Sequence, residues 1–118
     1  MSKRMILADD TPFVREDYAK EISLLVKDVE IEQVADGESL LDRVRSGGYS
    51  LVLTDNRMPK MHGLEAIKQI REFDQQTPIY LLSSEDVGKY ALEAGATGFI
   101  LKENVYRQLP AIVKQYLE

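Results

Sequence analysis

The chain has 118 residues, 44% of them hydrophobic and 30% charged, the balance of one ordinary globular domain with enough material for a core. A net charge of −5 with acids and bases interspersed argues against a surface built to bind nucleic acid. Cysteine is absent, which excludes disulfides and thiolate metal sites and fits a reducing cytosol; no apolar run approaches membrane-spanning length, and Met5 to Ala8 is too short for a signal peptide.

Met5-Ile6-Leu7-Ala8 is a short apolar run that stops at Asp9-Asp10 and reads as a buried strand. Thr11-Pro12 is a helix start, a hydroxyl for the cap and proline at the first helical position. Phe13, Val14, Ala19, Ile22, Leu25 and Val26 recur near helical spacing and predict a helix over about Pro12 to Lys27. Val29 to Val34 alternates as a strand does, and Asp36-Gly37 turns the chain. Leu40, Leu41 and Val44 form the face of a second helix that ends at Gly47-Gly48. Leu51 to Thr54 is a strand-like run that ends at Asp55, and Pro59 prevents its continuation. Leu64, Ile67, Ile70 and Phe73 predict a third helix, and Ile79 to Leu82 a fourth strand running into Ser83. A short helical segment over about Val87 to Ala94 closes at Gly95. Phe99-Ile100-Leu101 is a fifth strand ending at Lys102, and a last helix carries Ile112, Val113, Tyr116 and Leu117.

The pattern is β-α five times over, with no linker or repeat, and predicts one domain over residues 1–118. Alternation at this spacing implies an α/β, doubly wound parallel sheet with helices on both faces and right-handed crossovers. All strands then end on one edge, where ligands bind in such sheets.

Four strand ends bring polar groups to that edge: Asp9 and Asp10, Asp55, Ser83 and Lys102. Singly, each reads as a cap, a turn residue or a solvated charge. Together they are harder to dismiss, because only the second strand ends without a member. Three carboxylates on one edge raise one another's pKa unless a cation sits among them. All-oxygen ligation suits octahedral Mg²⁺ rather than zinc. Mg²⁺ beside a lysine and a hydroxyl is a place for a phosphoryl group, with a carboxylate as in-line nucleophile.

At this point the chain resembles the bacterial response-regulator receiver domains of two-component systems, including the chemotaxis regulators. The resemblance rests on Asp9-Asp10, the D-x-x-M-P-x-x-x-G run from Asp55 to Gly63, Ser83, the E-A-G-A segment Glu93 to Ala96, and Lys102 three residues after Phe99. It covers nearly the whole length. It implies a flavodoxin-like (βα)5 fold with strand order 2-1-3-4-5 and a cytoplasmic signalling domain. Asp55 would accept a phosphoryl group from a phosphohistidine on a sensor histidine kinase or phosphotransfer protein. Asp10 would ligate Mg²⁺ directly, Asp9 largely through water, with the backbone carbonyl of Arg57 as a further ligand. Lys102 would hold a phosphoryl oxygen, Ser83 would swing toward the phosphate, and Phe99 would rotate into the vacated space or else be a plain core aromatic. The implied readout is a changed surface of the fourth helix, fifth strand and fifth helix, presented to a downstream protein target.

Three departures from the family pattern fall on that surface. Lys102 is followed by Glu103 where a proline is usual, and a non-proline cis bond costs about 2.5–4 kcal/mol, so a trans link is expected. The stretch from Ser83 to Glu93 is short and contains Gly88, which costs roughly 1 kcal/mol inside a helix, so the fourth helix is expected to be short or frayed. Pro110 predicts a fifth helix that kinks or begins late, near Leu109. Arg57 and Glu85, each two residues after a site residue, are expected to flank the phosphate; as a pair they would hinder the attacking water and lengthen its lifetime, and otherwise they are solvated charges. His62 reads as loop surface.

Two other functions compete. A degenerate receiver acting only as a binding module is disfavoured because Asp9, Asp10, Asp55, Ser83 and Lys102 are all present. A small Mg²⁺ aspartyl phosphohydrolase would use an aspartate of the first strand, but it wants the two aspartates separated by one residue and a cap domain. The expectation for the output is a stand-alone receiver or a piece of a longer regulator, with no direct binding of nucleic acid and no membrane insertion.

Overall fold

A computed structural model describes residues 2–118. The elements run β1 (Lys3–Ala8), α1 (Pro12–Leu25), β2 (Val29–Val34), α2 (Gly37–Arg45), β3 (Leu51–Asp55), α3 (Gly63–Ile70), β4 (Ile79–Ser83), α4 (Gly88–Ala94), β5 (Gly98–Leu101) and α5 (Val105–Leu117), with a 3-10 turn over Lys102–Asn104. The strands are parallel in the order β2-β1-β3-β4-β5, the flavodoxin-like arrangement expected. Such a central sheet needs apolar side chains on both faces, which is why β3 is buried throughout. One face carries Ile6, Val52, Ile79 and Leu81 against α2, α3 and α4; the other carries Met5, Leu7, Leu53 and Ile100 against α1 and α5.

Several local expectations need correction. On α1 the buried residues are Tyr18 and Ile22, continued by Val26 just past the helix, an i, i+4, i+8 series; Phe13 lies off that stripe and is 77% exposed. Thr11 is the residue before the helix, but its hydroxyl does not cap it; Asp9 Oδ1 instead accepts from the Thr11 N–H at 2.9 Å. Helix α3 ends at Ile70, so Phe73 lies beyond it, beneath the Arg45 guanidinium. Helix α4 is short, as Gly88 foretold, but Gly88 is its first residue rather than an interior one. No peptide bond among the described residues is cis. Helix α5 does not begin late: it starts at Val105 with Pro110 inside it. The proline removes one backbone donor, yet Val105, Leu109, Val113 and Leu117 form an unbroken buried stripe across it, and that packing outweighs the loss.

Candidate functional site

The ends of β1, β3, β4 and β5 meet at one edge, as the strand order requires. Asp55 closes β3, where an all-buried strand delivers it to the surface with only 7% of its area exposed. Its Oδ1 accepts from the Asn56 N–H at 2.9 Å and pairs with Lys102 Nζ at 3.0 Å. Oδ2 has no hydrogen-bond partner among the described residues. The loop that follows is pinned from three sides. Met58 is buried in the core, Gly63 N–H donates to the Asn56 carbonyl, and Leu64 N–H donates to Asn56 Oδ1. Gly63 is required by close approach: a Cβ there would lie 2.3 Å from the Asp55 carbonyl oxygen.

Asp9 and Asp10 follow β1. Asp9 is buried and Asp10 exposed, and carboxylate oxygens of Asp9, Asp10 and Asp55 all lie within 4.8 Å of one another. Burial pushes the Asp9 carboxyl above its ordinary value; the Thr11 N–H works against this, and the Asp55 and Asp10 charges add to it. Lys102, the one cation against these carboxylates among the described ion pairs, is 3.9 Å from Asp9 Oδ2. Burial raises the Tyr18 hydroxyl to about 12, and the Asp9, Asp55 and Asp17 charges add to it. Three carboxylates facing one lysine leave net negative charge, and the donors are all oxygen. That is the donor set of a hard divalent cation such as Mg²⁺, so the residues present fit the ion.

Ser83 ends β4 and is buried; its Oγ accepts from the Glu85 N–H at 3.1 Å. Pairing of Leu81 with Phe99 puts Phe99 on the same sheet face as Ser83. The half-buried Phe99 ring rests against Gly88, where a Cβ would stand 3.1 Å from Phe99 Cδ2. The glycine that begins α4 therefore also makes room for the aromatic, a coupling invisible in the sequence. Arg57 and Glu85 do meet, as an ion pair between exposed side chains. They line one cleft of about 610 Å³ with Asp10, Asn56, His62 and Val87. Exposed His62 directly precedes α3 and also lines this cleft, which the spacing of metal ligands gave no reason to expect.

Residues 5–114 match the family described as the response regulator receiver domain. The chain belongs to that family. Among relatives, the response regulator MprA of Mycolicibacterium vanbaalenii is 31% identical over 120 residues, covering 99% of this chain and 51% of its own. A probable transcriptional regulatory protein, NarL of Mycobacterium tuberculosis, is 30% identical over 98% of this chain and 53% of its own. The chain thus spans about half the length of these curated relatives. The receiver domain of NarL from Mycobacterium tuberculosis superposes with a TM-score of 0.84 at 28% identity, over 97% of this chain and 94% of that one. At the level of fold, the receiver domain of the histidine kinase PA1611 of Pseudomonas aeruginosa, whose active-site cleft holds a magnesium ion, gives 0.86 at 21% identity over 98% of each chain. This receiver has no helix among the described residues long and apolar enough to cross a membrane.

Proposed function

We propose that this receiver is a Mg²⁺-dependent phosphoacceptor switch of a cytoplasmic two-component pathway, with Asp55 as acceptor. The observation that carries the reading is the Asp55 carboxylate held by Lys102 at 3.0 Å, with Asp9 and Asp10 oxygens within 4.8 Å. Asp9, Asp10, Asp55 and the Arg57 carbonyl would hold the ion. When bound, the ion neutralises the acidic cluster and charge on the phosphoryl oxygens. The Asn56 N–H and Lys102 fix Oδ1, which leaves Oδ2 to attack. A new O–P bond forms there while the P–N bond of a donor phosphohistidine breaks, and its electron pair returns to the imidazole nitrogen. The donor is a sensor histidine kinase or phosphotransfer protein.

Lys102 then moves its hydrogen bonding to a phosphoryl oxygen, and Ser83 exchanges the Glu85 N–H for another. Departure of the Ser83 hydroxyl leaves space on its own sheet face for Phe99 to turn inward, away from Gly88. The consequence is read on α4, β5 and α5, where Tyr90 and Leu92 of α4 are exposed apolar side chains available to a downstream protein. The Arg57–Glu85 pair beside the acceptor screens the acyl phosphate from the in-line water whose attack would break the O–P bond and release inorganic phosphate.

The test is intact-protein mass after incubation with a small acyl phosphate and Mg²⁺, beside Asp55→Asn. One phosphoryl adduct, lost in the variant and without Mg²⁺, is the expected result. A folded wild-type protein that gains no adduct would overturn the switch, and an adduct that survives in Asp55→Asn would overturn the acceptor.

A further inference from the structure

Strand β2 is the one strand that ends without a carboxylate, hydroxyl or lysine of the site, yet it reaches the site through Arg15. The half-buried Arg15, in the first turns of α1, donates from Nη1 to the Asp9 carbonyl at 2.7 Å and from Nε to Gln33 Oε1 on β2 at 3.2 Å. The Asp9 N–H is already held by the Val34 carbonyl at 3.1 Å, and Asp9 Oδ1 by the Thr11 N–H at 2.9 Å. Every polar group of Asp9 except the carboxylate oxygen facing Lys102 is therefore tied to β2, to α1 or to the residue that precedes α1. The turn carrying two of the three clustered carboxylates is fixed by a planar fork that spans helix and strand, a geometry an ammonium cannot reproduce.

We propose that Arg15, braced by Gln33, is the positioning residue of the cation site: it fixes the Asp9-Asp10 turn so that its carboxylates face Asp55 before the ion arrives. This rests on the reading of that edge as a Mg²⁺ site. Three roles for Arg15 differ in sign. A residue that acts only as a charge repels the ion, so its removal tightens binding. A purely structural residue lowers stability and leaves affinity alone. A positioning residue loosens binding even though a positive charge has gone.

The experiment is calorimetric titration of the full chain with MgCl₂, together with thermal midpoints without metal, for the wild type and Arg15→Ala, Arg15→Lys and Gln33→Ala. Arg15→Ala is expected to weaken Mg²⁺ by about tenfold, the low end of the range for partners that orient metal ligands. Arg15→Lys keeps the charge and one donor and falls between; Gln33→Ala removes only the brace and falls nearest the wild type. Unchanged or tighter binding in Arg15→Ala overturns the proposal, whatever its midpoint. If that variant does not fold, wild-type affinity in both Arg15→Lys and Gln33→Ala overturns it. A wild type that binds no Mg²⁺ overturns the site reading itself, and this proposal with it.

Discussion

Strand β1 carries a group of charged side chains at each end, and the two are built on opposite terms. Near its start, Arg4 pairs with Glu32 at 2.7 Å and lies over the Tyr49 ring at 4.5 Å; Glu32 also accepts from Arg43 at 2.6 Å and from the Tyr49 hydroxyl at 2.9 Å. Burial disfavours an ionised Glu32, yet the hydrogen bonds from Arg4, Tyr49 and Arg43 outweigh it and hold the carboxyl below its ordinary value. Just past the other end, Asp9 is held above its ordinary value by burial and by neighbouring carboxylates that a single lysine does not balance. One end spends its charges on the fold. The other leaves charge unpaired at an edge, an arrangement that destabilises the protein on its own and that the proposed cation site requires.

Breaking the balanced end has the largest expected effect on stability. Glu32→Ala removes three hydrogen bonds to a charged group, but Arg4 and Arg43 are partly exposed and can rehydrate, so the loss is about 1–2 kcal/mol, read from urea denaturation. At the acidic end the sign reverses. Asp9→Asn, measured without metal at neutral pH, removes one of three clustered charges while Lys102 keeps its closer partner Asp55, and the thermal midpoint rises by about 2–5 °C.

The two ends also differ in pH dependence. Glu32 has a lowered folded value, so its contribution is present above 4.5 and is lost as pH falls through the folded value. Asp9 has a raised folded value, so its contribution to stability is present below 3.8 and is lost as pH rises through the folded value. The advantage of Asp9→Asn is therefore absent below about pH 3.8 and grows as pH rises from there through the folded value, while the deficit of Glu32→Gln is complete above about pH 4.5 and shrinks as pH falls through the folded value; denaturation at a series of pH values checks both. The smallest stability effect belongs to the exposed Arg57–Glu85 pair: Arg57→Asn changes unfolding free energy by under about 0.5 kcal/mol. If the pair screens the acyl phosphate, the same substitution speeds dephosphorylation in Mg²⁺; an unchanged rate means these are only solvated charges.

The strand ends were legible because each site residue directly follows an apolar run, and a parallel sheet leaves no choice about which edge those ends share. Asp55, Asp9, Asp10 and Lys102 needed nothing more than that rule to be brought together. What escaped depended on tertiary context. Pro110 argues locally against a helix that the buried Val105–Leu117 stripe nevertheless sustains. Phe13 resembles a core residue until the i, i+4, i+8 series of Tyr18, Ile22 and Val26 displaces it. Arg15 gave no signal at all, because its partners are a backbone carbonyl and a side chain of a different strand. Gly88 in isolation is a weak point in a helix, and its contact with Phe99 depends on how α4 docks on β5.

The most direct test is the thermal midpoint of wild type and Asp9→Asn, each with and without saturating MgCl₂. The acidic edge as a cation site predicts a crossing: the variant melts higher without the ion, and the wild type gains the larger increment when the ion is added. Equal increments in the two proteins, or a variant that is less stable without metal, would contradict it.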